Sequence, residues 1–290
     1  MRLGFHLSIA GSFTRAVTAA QHLGCQALQI FVQNPRGWRW REPSPEEIAA
    51  FRRARRQACL WPLVVHLTYL PNLAAADPVL YDRSRERLLQ ELRLARELGA
   101  EYLVCHPGHG PAEPATYRRV AKAVAAAVRE VPPPPLVLLE NTAGQGQEVG
   151  RQPAELEYLR QLSGVPVGIC LDTAHAMGAG YDLAGAGGVA RLLAELARGP
   201  GLAALKVVHL NDARTPAGSR RDRHQHLGRG SIGLAGLRHL LGHPALAVDA
   251  VIMETPRRHV VDEWLNLLTA RILVPGPLLL PGAAGSSFPH

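Results

Sequence analysis

The chain has 290 residues, 47% of them apolar and 19% charged, and its 32 basic residues against 24 acidic ones leave a net charge of +8. That balance excludes a disordered chain, and no run of about 18 apolar residues is present to cross a membrane. The opening stretch places His6 and Ser8 inside its only apolar run and lacks the long hydrophobic core of a secretory signal, so a cytoplasmic location is expected.

Eight short apolar runs, often β-branched, recur along the chain: Leu3 to Leu7, Ala27 to Val32, Pro62 to Leu67, Tyr102 to His106, Leu136 to Glu140, Val167 to Asp172, Leu205 to Leu210 and Val248 to Glu254. Stretches of helical character separate them. From Asp77 to Leu98, for example, Leu88, Leu89, Leu92 and Leu98 recur at helical spacing and Gly99 follows as a stop. Strands alternating with helices predict parallel pairing, and near-continuous apolar runs predict strands covered on both faces. Eight such units in a chain of this length predict a single-domain (β/α)8 TIM barrel. An open doubly wound sheet is the alternative, but no Gly-x-Gly-x-x-Gly turn follows the first strand. The proline run from Val131 to Pro135 is expected to act as a stiff connector into the fifth strand. The barrel is expected to occupy residues 1–271, and the Pro/Gly-rich stretch 272–290 to be a flexible tail.

The strand ends carry the chemistry. The third strand closes with His66, the fourth with His106, the fifth with Glu140, the sixth with Asp172, the seventh with His209 and the eighth with Glu254. The carboxyl ends of barrel strands converge on one mouth, so these six side chains are expected within reach of one another. Unpaired buried carboxylates and imidazoles cost several kcal/mol each, which divalent cations would offset. The mix of imidazole and carboxylate suits Zn²⁺, and also Mn²⁺ or Fe²⁺, with no cysteine at these ends to demand a softer metal. His175, three residues after Asp172, and the pair Asp222 and His224, two apart, bring the set to five histidines and four carboxylates. That set exceeds one tetrahedral ion and accommodates two ions sharing a carboxylate plus a third. His226 shares the parity of His224 and is read as a neighbour of the site or a phosphate contact rather than a ligand. Three divalent ions against four carboxylates leave a positive pocket that attracts phosphate and suits hydrolysis of a phosphodiester.

Two basic clusters agree with an anionic substrate. Arg36, Arg39 and Arg41 surround Trp38 and Trp40, and Arg214, Arg220, Arg221, Arg223 and Arg229 crowd one glycine-containing segment. Cys25, Cys59, Cys105 and Cys170 lack the paired spacing of zinc knuckles and are expected to be reduced and mostly buried.

These motifs resemble the endonuclease IV family of zinc-dependent apurinic/apyrimidinic endonucleases. The resemblance runs from Met1 to about Ala270. It rests on His66-Leu67-Thr68-Tyr69-Leu70, His106-Pro107-Gly108, Glu140-Asn141-Thr142-Ala143-Gly144-Gln145-Gly146, Leu171-Asp172-Thr173-Ala174-His175, His209-Leu210-Asn211-Asp212, Gly218-Ser219-Arg220-Arg221-Asp222-Arg223-His224, Gly228-Arg229-Gly230-Ser231-Ile232-Gly233 and Glu254-Thr255-Pro256. The resemblance implies a trinuclear zinc barrel. One ion would take His66, His106 and Glu140; a second would share Glu140 and add Asp172, His209 and Glu254; a third would take His175, Asp222 and His224. It further implies catalytic roles for Glu140 and Glu254, and hydrolysis 5′ to abasic sugars in duplex DNA that leaves a 3′-hydroxyl and a 5′-deoxyribose phosphate. Cleaning of blocked 3′ ends is the implied second activity. Arg36, Tyr69 and Leu70 match positions that enter the duplex, and Arg223 and Arg229 are expected to contact DNA. Read without the resemblance, Tyr69 and Leu70 would be core packing after the third strand. Pro35 beside Arg36, and Ala174 where members often carry Cys, depart from the family pattern.

Two other functions are compatible with part of this pattern. A sugar isomerase or epimerase on a related barrel would need only Glu140, Asp172, His209 and Glu254 around one ion. A noncatalytic DNA-damage binding protein would need a closed structural site without a shared carboxylate. A monomer is expected, since no assembly stripe is evident.

Overall fold

The computed structural model describes residues 1–257 and 259–275. Among them the strands are β1 (Arg2–Leu7), β2 (Ala27–Ile30), β3 (Leu63–His66), β4 (Tyr102–Cys105), β5 (Leu136–Glu140), β6 (Gly168–Asp172), β7 (Leu205–His209), β8 (Asp212–Ala213), β9 (His224–Gln225) and β10 (Ala250–Met253). Eight of these close into a parallel barrel in the order β1-β10-β7-β6-β5-β4-β3-β2, while β8 and β9 form a separate antiparallel ribbon. The barrel is the (β/α)8 fold that the alternation of runs predicts. The paired strands are shorter than the apolar runs, so Val32, Leu67, His106, Leu210 and Glu254 lie just beyond them. The ribbon has no apolar signature in the sequence; Asp212 pairs with Gln225 and Ala213 with His224.

The helices are α1 (Phe13–Leu23), α2 (Pro45–Gln57), α3 (Pro78–Leu98), α4 (Pro114–Glu130), α5 (Pro153–Ser163), α6 (Thr173–Ala179), α7 (Ala186–Arg198), α8 (Gly233–Leu241) and α9 (Val260–Leu273). Local chemistry fixes their ends. Proline opens α2, α3, α4 and α5, where its missing N–H is no loss. In α3 the Asp77 carboxylate accepts from the Leu80 amide at 2.7 Å, and Gly99 ends the helix in the left-handed conformation. Leu88, Leu92 and Leu98 of this helix are fully buried against the sheet, each contributing about 1.5–3 kcal/mol relative to exposure. The last helix extends two residues past the expected domain boundary and buries Leu273. Positions 276–290 of the expected tail lie outside the described residues. No helix of the described residues is long and apolar enough to cross a membrane.

Side chains alternate along each barrel strand, and the inward set forms its own cluster of Ala27, Val64, Tyr102, Val104, Leu138, Cys170, Val207, Ala250 and Ile252. Two residues beyond Val64, Val104, Leu138, Cys170, Val207 and Ile252 stand His66, His106, Glu140, Asp172, His209 and Glu254. Each of these six strands therefore points an apolar side chain into the barrel and then, one period later, a metal-ligand type into its mouth.

Candidate metal centre

All nine candidate ligands converge there. His66, His106 and Glu140 bring ligand atoms within 4.8 Å of one another, and so do Glu140, Asp172, His209 and Glu254. A third group joins Asp172, His175 and His224. Asp222 faces the same two imidazoles, at 3.3 Å from His175 Nε2 and 3.2 Å from His224 Nε2. Glu140 belongs to the first two groups, with Oε2 3.0 Å from His106 Nε2 and 3.2 Å from His66 Nε2, and Oε1 3.0 Å from His209 Nδ1.

The imidazoles are prepared to coordinate. His66 Nδ1 donates to the Leu67 carbonyl at 2.7 Å, His175 Nδ1 to the Asn141 carbonyl at 2.9 Å, and His224 Nδ1 to the Glu254 carbonyl at 3.1 Å. His209 donates from Nε2 to Gln29 Oε1 at 2.8 Å. Each ring thus commits one N–H to the protein and directs its other nitrogen at carboxylate oxygens, the arrangement that fixes a metal-binding tautomer. His224 Nε2 is buried and has no hydrogen-bond partner among the described residues. A donor set of neutral imidazoles facing four carboxylates fits divalent cations of the zinc type.

The electrostatics say the same. Burial alone would lower His209 and His175, but Glu254 and Glu140 raise His209, and Asp172, Asp222 and Glu140 raise His175, both well above the usual imidazole range. Burial likewise opposes the charged form of His224, yet Asp172 and Asp222 push it up to about 9. Burial raises Glu140, Asp222 and Glu254, and the facing imidazoles more than reverse it, holding all three carboxyls below their usual range. The buried carboxylates therefore favour positive charge in this cluster, a demand that divalent cations would meet.

Several functional side chains escaped sequence reasoning. β1 and β2 also contribute to the mouth: His6 Nδ1 lies 2.8 Å from Glu254 Oε1, and Gln29 Nε2 donates to the same oxygen at 2.6 Å. The register of the two strands sets His6 opposite Gln29. Gln29 thereby ties Glu254 to His209. Asn141 and Asn211 hold Asp172: Asn141 Oδ1 accepts from the Asp172 amide at 2.6 Å, and Asn211 Nδ2 donates to Oδ2 at 2.6 Å. No cysteine occupies one of the six ligand positions that close the strands, but Cys170, two residues before the end of β6, approaches Glu140 and His209 because it shares the inward face with Asp172. Burial pushes its thiol up to about 12, so it stands there as a neutral thiol. His226 turns away from the cluster toward Asn266 at 3.0 Å.

Asp212 is also buried, but it organises a loop. Its carboxylate accepts from the amides of Gly228, Gly230 and Ile232 at 2.9–3.0 Å. A Cβ on Gly230 would stand 2.4 Å from the Ala213 carbonyl oxygen, so only glycine permits this approach. The loop so formed carries Arg229 on the surface. After His106, Gly108 takes φ +112°, and a Cβ there would meet Asn72 Oδ1 at 2.3 Å.

The outer edge of the mouth differs. Tyr69 is 60% exposed and Leu70 36%, so neither is core packing. Arg36, Arg223 and Arg229 are exposed as well. Next to Tyr69, a cleft of about 360 Å³ opens between His6, Phe31, His224, Glu254 and Arg257. The first basic cluster is not free as expected: Trp38 and Trp40 are half-buried against Arg83 and Arg87 of α3, and Arg41 pairs with Glu47 at 3.0 Å. In the second, Arg220 donates to the Gly144 and Gly146 carbonyls at 2.8 and 3.1 Å and so braces two loops.

The family model described as xylose isomerase-like TIM barrel matches residues 17–271. A probable endonuclease 4 from Methanosphaerula palustris is 41% identical over 280 residues, covering 94% of this chain and 98% of that protein. The chain belongs to the endonuclease IV family. Endonuclease 4 of Thermus thermophilus is 43% identical over 274 residues, covering 93% of this chain and 97% of that protein. The crystal structure of endonuclease IV from Thermus thermophilus superposes with a TM-score of 0.85 at 41% identity, over 94% of this chain and 98% of that one. A D-tagatose 3-epimerase-like protein superposes with a TM-score of 0.70 at 20% identity, over 94% of this chain and 97% of that one, and shares the fold.

Proposed function

We propose that this endonuclease IV family member hydrolyses the phosphodiester 5′ to abasic sites in duplex DNA at a centre of three zinc ions, leaving a 3′-hydroxyl and a 5′-deoxyribose phosphate. Removal of blocking groups from 3′ ends is its proposed second activity. The observation that carries this reading is the convergence of five imidazoles and four carboxylates on one mouth, with four of the five rings already fixed by protein acceptors.

One ion would be held by His66, His106 and Glu140, a second by Glu140, Asp172, His209 and Glu254, and a third by His175, Asp222 and His224. Asp172 Oδ2 lies 3.6 Å from His224 Nε2, which sets the second and third groups side by side. Bound zinc supplies a water acidified toward a pKa of about 7 and neutralises charge on the scissile phosphate. The protein does the rest. Glu140, facing His66, His106 and His209 at once, holds two groups in fixed relation. Glu254 spends Oε1 on His6 and Gln29 and keeps Oε2 toward His209, 3.5 Å away, which leaves that oxygen to the second ion. Tyr69 and Leu70 stand proud of the mouth, suited to fill the gap left by a missing base, whose sugar turns out of the duplex at a saving of a few kcal/mol over an intact nucleotide. Arg36, Arg223 and Arg229, exposed on loops, suit the phosphate backbone.

An epimerase would need only Glu140, Asp172, His209 and Glu254, and leaves the other five ligands without a purpose. We place the enzyme in the cytoplasm as a monomer. The test is incision of a duplex with one abasic analogue, with and without chelator. Incision that disappears on chelation and returns with zinc supports the reading; a protein that epimerises ketoses and leaves the duplex intact contradicts it.

A further inference from the structure

Two loops of the outer edge meet on one buried ion pair. The loop after β2 carries Arg36, Trp38 and Trp40, and the loop after β3 carries Thr68, Tyr69 and Leu70. Both rest on α3, where Arg87 and Glu91 stand one turn apart, 4% and 0% exposed. Glu91 accepts from the Thr68 hydroxyl at 2.6 Å and from the Thr68 amide at 3.2 Å. Arg87 donates from Nη2 to the Trp38 carbonyl, and its guanidinium lies 5.2 Å from the Trp40 ring and 5.9 Å from the Trp38 ring. Arg87 Nε is 3.9 Å from Glu91 Oε1. The loops also touch directly: the Tyr69 amide donates to the Pro35 carbonyl at 3.2 Å, and the Tyr69 ring packs edge-on against Phe31 at 5.0 Å.

A buried Arg–Glu pair is a poor source of stability, since desolvation offsets most of its attraction, and an apolar pair would fill the same helix face. What this pair provides is specific geometry, with the carboxyl gripping one loop and the guanidinium the other.

We propose that Arg87 and Glu91 are positioning residues that lock the Arg36 loop and the Tyr69–Leu70 loop into a single rigid edge for probing the duplex. The proposal rests on the DNA reading given above and adds to it a coupling between the loops. An edge held rigid before contact spares the complex the ordering of two loops, so its loss raises KM and leaves the chemical step alone.

The test uses full-length, zinc-loaded protein carrying Arg87→Met, Glu91→Gln or both, with Thr68→Val as the gentler variant should a charge change prevent folding. Amide exchange by mass spectrometry is read over residues 36–41 and 68–70, beside KM, kcat and zinc content. Arg87→Met, which touches only the first loop, is expected to speed exchange at residues 68–70 by about tenfold, and Thr68→Val to speed it at residues 36–41. KM for abasic duplex should rise about tenfold while kcat stays within about twofold, zinc content is unchanged, and the double variant is no worse than the poorer single one. Exchange confined to the loop that was altered, independent addition of the two single effects, or a parallel fall of kcat and zinc content would each overturn the brace. If the wild type fails to prefer abasic duplex, the DNA reading falls, and the cross-loop exchange still decides the coupling.

Discussion

At the mouth of the barrel, most of the inner ring of imidazoles and carboxylates is buried and hydrogen-bonded, whereas the outer edge of Arg36, Tyr69, Leu70, Arg223 and Arg229 projects into solvent from loops. Inside, Glu140 and Asp172 are fully buried and each meets several partners at 2.6–3.3 Å. Outside, the Tyr69 ring rests on Phe31 and the rim of His66, and Arg223 Nη1 reaches the neighbouring Asp222 carbonyl at 2.5 Å. The inner ring is organised before any substrate arrives; the outer edge is fixed only at its roots. Rate should therefore be sensitive to the first region, and the choice of substrate to the second.

Glu140→Gln is the severest way to test this division. It removes the carboxylate common to two groups, and incision of abasic duplex is expected to fall on the order of 10³-fold with loss of bound metal, read by single-turnover kinetics and elemental analysis. Near-normal incision would remove Glu140 from the mechanism. Gln29→Leu probes the support behind the ring. With the His209 N–H and the Glu254 carboxylate both released, metal affinity or activity should drop by about 10–100-fold, measured by zinc titration against a competing chelator. An unchanged affinity would mean that β2 takes no part in the site.

The outer edge should respond in kind rather than degree. Tyr69→Ala is expected to narrow the preference for abasic over intact duplex by about tenfold in a binding assay while zinc content stays at the wild-type value. Equal discrimination in the variant would remove the wedge role. Arg229→Ala should have the smallest effect, a uniform weakening across duplexes with the salt slope of log K lowered by about one. A weakening specific to one sequence or lesion would assign Arg229 to recognition instead.

The inner ring was legible in the sequence because strand geometry has a period of two. Once Val64, Val104, Leu138 and Val207 are read as inward, His66, His106, Glu140 and His209 must follow them into the mouth. His6 and Gln29 obey the same rule, but they sit within apolar runs in which a single polar residue reads as an interruption. Asp212 follows His209 and Asn211 as if it belonged to the site, yet its carboxylate is spent on the amides of residues 228–232, a role set by a loop whose path no local pattern announces. Trp38 and Trp40 read as available for stacking because they are interleaved with arginines in a loop; the arginines that cover them, Arg83 and Arg87, come from α3, more than forty residues away. Contacts between distant segments, not element types, are what the sequence withheld.

Zinc stoichiometry tests the central claim most directly. Metal-free protein titrated with zinc and weighed by native mass spectrometry should take up about three ions per chain, and Glu140→Gln fewer. A wild-type chain that saturates with a single ion would contradict the shared-carboxylate cluster and leave a one-metal barrel in its place.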